Sequence, residues 1–284
     1  MNVNSPRLGK DALIFVHIPK TAGSTFSSIL ARIYPERRYS IYDFAQIPDF
    51  GHMPEAERTE IDLLQGHFLY GIHQYIPRYS RYITFLRDPV ERIVSLYYYL
   101  LRVPGNYLHD TLVSNNISLA DFVGSRLTSA IYNFQVRLIA GADQPSVDSF
   151  PVLDESTLLQ AKQRLASDFL AFGITEKFDE SLVLLSRSLG WKLFSRNLFY
   201  RKQNVTHNRK RLADVSPEII DMIRRNNQLD QQLYEYACNL FNTRMKSSFS
   251  FRAELFVFRK LHQRWLRRND AQQVGRQKNR CARV

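Results

Sequence analysis

The chain reads as an α/β protein with a central, mostly parallel sheet flanked by helices. Two observations carry that reading. Apolar runs of strand length recur at Leu13 to Val16, Tyr82 to Leu86 and Phe169 to Thr175. Each is followed by a helix-period pattern, and alternation of buried strand with helix requires parallel crossovers with helices on both faces. Hydrophobic content of 44% over 284 residues is ample for a core of that kind.

Residues 1 to 11 are polar and read as a flexible N-terminus. The first strand, Leu13 to Val16, runs into the turn Pro19-Lys20-Thr21-Ala22-Gly23-Ser24-Thr25. A helical stripe of Phe26, Ile29, Leu30 and Ile33 follows, and Pro35 stops it. Strand, small-residue turn and helix is an arrangement that aims backbone N–H groups at an anion. Lys20 adds a point charge, and Ser24 and Thr25 add hydroxyls. The turn is not a Walker A loop, because Lys20 precedes its only glycine. An ordinary capped helix gives the same local pattern.

Tyr39 to Arg58 has no clear period and reads mainly as loop. Ile61 to Tyr70 reads as a short strand broken by Gly66, which puts His67 at its end. The strand Tyr82 to Leu86 ends at Arg87. Asp88 then caps a helix with Pro89 at its first position and Glu91 three residues after the cap. That helix is expected to run to about Leu101. An arginine at the C-terminal end of a parallel strand is placed to grip a phosphate, and Ser95 stands on the next helix. Arg87 pairing with the neighbouring Asp88 is the structural alternative.

Ser118 to Arg126 and Asp154 to Leu165 read as further capped helices, with a linker over Gln144 to Pro151. Phe178, Leu182, Leu185 and Leu189 mark a helix after the third strand. Leu198 to Leu212 is polar and basic. Ser216-Pro217-Glu218 opens another helix, and Leu229 to Leu240 carries one more stripe. Phe249 to Trp265 has the pattern of a basic amphipathic helix, and Asp270 to Val284 is expected to be disordered.

The net charge is +12. Ten Lys/Arg against Glu254 and Asp270 give +8 from Arg252 onward, which leaves 12 − 8 = +4 for the rest. The tail fits a solvated end, a peripheral contact with anionic lipid or non-specific nucleic-acid binding, and no specific nucleic acid is expected as a partner. Cys238 and Cys281 stand in no metal or disulfide spacing, and no metal is expected. No apolar window is long enough to span a bilayer. The N-terminus lacks the layout of a secretory signal, so a cytoplasmic location is expected.

Two phosphate-type elements, each at a strand end, then share one chain. HIPKTAGSTF followed by ITFLRDPVERIVSLYYYL resembles the PAPS-dependent carbohydrate sulfotransferases, nearest to the heparan sulfate 2-O-sulfotransferase-like branch. PAPS is 3′-phosphoadenosine-5′-phosphosulfate. The likeness continues at Gln65-Gly66-His67, Gly173 to Glu176, Thr206 to Lys210 and Leu233 to Ala237, and spans roughly residues 12 to 245.

The resemblance implies a P-loop-like three-layer fold with a sulfotransferase domain over residues 12–248; it does not reach residues 249–284, which composition marks as a basic, partly disordered C-terminal extension. It implies that Lys20, Thr21, Ala22, Gly23, Ser24 and Thr25 bind the 5′-phosphosulfate, with Lys20 also stabilising the leaving phosphate. Arg87 and Ser95 would bind the 3′-phosphate, and the loop with Thr206, Arg209 and Lys210 would close over the nucleotide. His67 matches the family's catalytic histidine, a neutral base near pH 7 that takes the proton of a carbohydrate hydroxyl. Gln65 stands where that branch has another histidine.

His17 reads as structural and His73 as a second base candidate. Tyr97, Tyr98 and Tyr99 read as core plus helix face, and Arg78, Arg102 and Arg137 as solvated. A nucleotide kinase would need carboxylates near Mg²⁺, for which no acidic cluster is apparent. A non-catalytic polyanion-binding protein leaves the two phosphate motifs unexplained.

Overall fold

The computed structural model describes residues 11–142, 153–203, 212–246 and 250–281, with side chains described to residue 271. Among the described residues, five strands form one parallel sheet in the order β2-β3-β1-β4-β5. In chain order, β1 is Ala12–Val16, α1 Gly23–Ile33 and β2 Arg38–Ile41, with α2 Ile47–His52, α3 Glu55–Thr59 and β3 Leu63–Gly66 after it. Next come β4 Ser80–Leu86, α4 Pro89–Arg102, α5 His109–Ser114, α6 Leu119–Gly124 and α7 Phe134–Ala140. The chain continues through α8 Glu155–Ser167, β5 Phe169–Ile174, α9 Phe178–Leu189, α10 Pro217–Asn226, α11 Gln228–Lys246 and α12 Phe251–Cys281.

All five residues of β1 are buried, so both faces of the sheet are covered. Neighbouring residues of β5 show the two layers, because successive side chains point to opposite faces. Phe172 meets Phe241 of α11 on one side. Gly173 lies under Phe85, which stacks on Phe178 of α9 on the other. On that second face Phe26 of α1 sits edge-on to Phe15 of β1 and against Phe85.

The β1 turn leads to the β2–β3 side of the sheet, and β4 opens the other side. The crevice outside the C-terminal ends of β1 and β4 is therefore a switch point, where open α/β sheets bind ligands.

Three expectations are corrected. The stretch read mainly as loop contains β2, α2 and α3. β2 is a four-residue edge strand with two exposed positions, and its pairing to β3 supports it more than its own pattern. The helix α12 runs to Cys281, past the point where disorder is expected. Its Phe251 and Phe258 are buried against the body, so the basic segment has a packed face. Arg137 is buried, and Arg78 binds Ile61 O and Asp62, so neither is a solvated surface charge. The linker read at Gln144 to Pro151 lies outside the described residues.

Candidate active site

The β1–α1 turn is built from backbone that L-residues rarely adopt. Lys20 and Ala22 both have positive φ, 70° and 64°. Each left-handed residue costs roughly 1–2 kcal/mol. Fixed contacts hold the conformation: Thr21 Oγ1 donates to Ile18 O at 2.8 Å, and Arg87 Nη1 donates to Lys20 O at 3.0 Å. A Cβ on Gly23 would lie 1.9 Å from His17 Nε2, so only glycine fits under that ring. α1 then begins with no side-chain cap and no acidic residue in its first turn. Its first intrahelical bond is Phe26 N–H to Ala22 O, which leaves the positive helix terminus open to an anion.

Arg87 is fixed at the end of β4. Its backbone exchanges two hydrogen bonds with the Gln135 amide, at 3.0 and 2.9 Å. Its guanidinium meets Glu91 at 2.9 Å and Glu176 at 3.8 Å, as well as Lys20 O. Asp88 does not pair with it; Asp88 caps α4 by accepting from Glu91 N at 3.0 Å. Burial raises the Glu176 carboxyl, opposed by bonds from Tyr234 and the Asp88 N–H and by Arg87. α4 then presents Glu91, Ser95 and Tyr99, spaced four apart, to one cleft. The ammonium of Lys20 lies 3.8 Å over the Tyr99 ring. Tyr97 is buried, with its hydroxyl donating to Ile117 O.

The parallel register sets Val16 beside Gly66, so His17 and His67 leave adjacent strand ends side by side. Their rings are 4.9 Å apart, and Tyr42 stands edge-on to both. Gly66 has φ 151°, with Ile41 O where a Cβ would be. Burial pushes His17 down to about 3, and the nearby His67 and Lys20 charges push the same way. Burial pushes His67 down to about 4, against a hydrogen bond to the Tyr42 backbone. Both are neutral at pH 7. His17 Nδ1 is buried without a hydrogen-bond partner among the described residues.

These groups line a single cleft of about 690 Å³. It brings together Lys20, Ala22, Gly23, Ser24, Thr25, His67, Arg87 and Ser95. Thr21 is fully buried, and its hydroxyl serves the turn. Gln65 points away from the cleft and donates to Ser40. His73 is held by the Tyr82 hydroxyl at 2.8 Å and lies outside it. Thr206, Arg209 and Lys210 lie outside the described residues.

The sequence left Thr175, Glu176, Tyr200, Lys202 and Gln203 unassigned, placed His17 at the strand end as structural, and offered Tyr99 as site lining but favoured the core; all of them line the cleft. Tyr99 was within reach from the Glu91–Ser95–Tyr99 spacing. Among the described residues there is no group of three His, Cys, Asp or Glu that would hold a metal.

Residues 7–118 match the model described as the Sulfotransferase family. Galactose-3-O-sulfotransferase 3 of Mus musculus is 26% identical over 250 residues, covering 81% of this chain and 56% of that protein. Heparan-sulfate 6-O-sulfotransferase 3 of Mus musculus is 25% identical over 283 residues, covering 83% and 58%. Heparan sulfate 2-O-sulfotransferase 1 of Gallus gallus is 24% identical, covering 81% and 70%. The chain thus spans under two thirds of the length of the first two of these relatives. A solved mouse sulfotransferase, SULT7A1 complexed with PAP, superposes with a TM-score of 0.41 at 14% identity, covering 86% of this chain and 88% of that one. The resemblance carried by the two motifs extends over most of the chain.

Proposed function

We propose that this chain, a relative of the carbohydrate sulfotransferases, transfers a sulfuryl group from PAPS to a hydroxyl of a carbohydrate or glycoconjugate. The observation that carries the reading is the direct bond from Arg87 Nη1 to Lys20 O. It ties two anion-binding elements into one cleft, as a donor with phosphate at both ends requires. The turn Lys20 to Thr25 holds the 5′-phosphosulfate, and Arg87 with Ser95 holds the 3′-phosphate. Thr206, Arg209 and Lys210 complete the nucleotide site in this proposal.

The acceptor oxygen attacks sulfur. A new S–O bond forms as the S–O bond to phosphate breaks, and that electron pair stays on the phosphate oxygen. Lys20 and the α1 terminus stabilise the charge formed there. His67 takes the hydroxyl proton. Its lowered pKa makes it a weaker base than an ordinary imidazole and keeps it unprotonated at pH 7.

The catalytic domain is proposed as residues 12–248, with 249–284 as a basic extension. A cytoplasmic setting, with peripheral contact to anionic membrane through the extension, belongs to the same proposal, and fractionation tests it. Among the described residues no helix is long and apolar enough to cross a membrane.

Calorimetry with adenosine 3′,5′-bisphosphate tests the donor site. Binding is expected, and Lys20→Ala and Arg87→Ala each weaken it. No binding, or use of Mg²⁺–ATP instead, refutes the reading. His67→Ala is expected to keep nucleotide affinity and lose transfer; retained turnover removes His67 from the mechanism.

A further inference from the structure

One wall of the cleft is made by Tyr200, Lys202 and Gln203, from the segment 199–203, which has little regular structure of its own. Its conformation is set by partners, several of which come from the basic helix α12. His262 is buried, and its Nε2 lies 2.7 Å from Tyr200 O. A carbonyl oxygen only accepts, so this short contact puts the proton on Nε2 in preference to the longer 3.4 Å approach of the Tyr200 N–H to the same nitrogen. The imidazole is parallel to the Phe199 ring (13°) and packs 4.5 Å from the Tyr200 ring.

The other end of Tyr200 is held through α9. Its hydroxyl donates to Asp179 Oδ1 at 2.8 Å, and Asp179 Oδ2 pairs with Arg259 of α12 at 3.1 Å. Arg259 also meets Glu180 at 2.8 Å. One residue on, Arg201 pairs with Asp270 of α12 at 2.6 Å. Both ends of Tyr200 are thus anchored by one helical turn, Arg259 to His262.

The segment in turn meets the anion turn. Tyr200, Lys202 and Gln203 line the cleft, and Gln203 N–H donates to Thr25 Oγ1 at 3.0 Å. Tyr200 also packs on Phe178, another lining residue, at 4.7 Å. A shift of this wall would move Lys202 relative to Lys20 and Thr25.

We infer that α12 is a positioning element of the cleft, with His262 and Arg259 fixing the wall that carries Tyr200 and Lys202 across from the anion turn. The inference rests on the donor-site reading above. It assigns the basic extension a role in the site as well as any surface contact. The role rests on particular contacts, the His262 bond to Tyr200 O and the Arg259 pairs with Asp179 and Glu180, rather than on the net charge of the segment.

The test is nucleotide affinity in full-length point variants. His262→Phe keeps an aromatic ring beside Phe199 and Tyr200 and removes the donor to Tyr200 O. His262→Gln replaces Nε2–H with an amide donor of similar reach. His262→Phe is expected to weaken adenosine 3′,5′-bisphosphate binding by about three- to tenfold, the worth of one lost hydrogen bond with its carbonyl left buried. His262→Gln should recover most of that loss. Arg259→Ala should weaken binding in the same direction. Thermal unfolding measured alongside separates this from general destabilisation: at temperatures where each variant is folded, a purely structural role leaves affinity unchanged. Wild-type binding with unchanged affinity in His262→Phe and Arg259→Ala overturns the inference alone. A wild type that does not bind the nucleotide overturns the donor-site reading and this inference with it.

Discussion

Acidification is expected to weaken the fold through the two histidines at the strand ends. His17 is buried and lowered to about 3, and His67 faces the cleft and is lowered to about 4. An ordinary histidine titrates near 6.5. The folded protein therefore binds fewer protons than the unfolded chain over that interval. Stability is intact above pH 6.5 and is lost as pH falls toward the folded values.

For His17 the loss at about pH 5 is about 2 kcal/mol. His67 adds less, because solvent in the cleft screens it. Urea unfolding of wild type and His17→Leu at about pH 7.5 and about pH 5 isolates the His17 share. The leucine removes the titrating ring and its unpartnered Nδ1 and leaves the other acid-sensitive groups in place. Wild type is expected to lose about 2 kcal/mol more than the variant between the two pH values. Equal pH dependence would refute the reasoning, because His17 would then titrate like an exposed histidine. The depressed His67 also predicts transfer at about pH 5, where about nine-tenths of it is neutral, against about 3% of an ordinary imidazole.

Gly23→Ala sets a Cβ 1.9 Å from His17 Nε2, so the ring must move about 1.5 Å to reach an ordinary 3.4 Å contact. Phe15 and His67 flank that ring, and a loss of about 1–3 kcal/mol is expected. A double-mutant cycle with His17→Ala should recover part of it. Arg87→Lys replaces a fork that reaches Lys20 O and Glu91 together with a single ammonium, and calorimetry should show at least a tenfold loss of nucleotide affinity. Asp230→Ala leaves buried Arg92 without its carboxylate and α7 without the acceptor for Gln135 N and Val136 N, and chemical denaturation should show a loss of about 3–5 kcal/mol.

The sheet class, the three apolar strands and most helix starts are legible in the local pattern of residues. Apolar strands and capped helices are local signals: Asp88, Ser118 and Asp154 each accept the hydrogen bond their position predicts. The same pattern also determined that Lys20 to Thr25 and Arg87 each sit at a strand end. Tertiary structure alone decided that the two ends share one cleft, because strand order is set by pairing between distant segments. β2 escaped the sequence because an edge strand of four residues draws its support from its neighbour. The burial of His17, its missing Nδ1 partner and its approach to Gly23 exist only once β3 and α1 pack around it. The α12 contact with Tyr200 joins residues 62 apart in the chain, and no local period encodes such a bond.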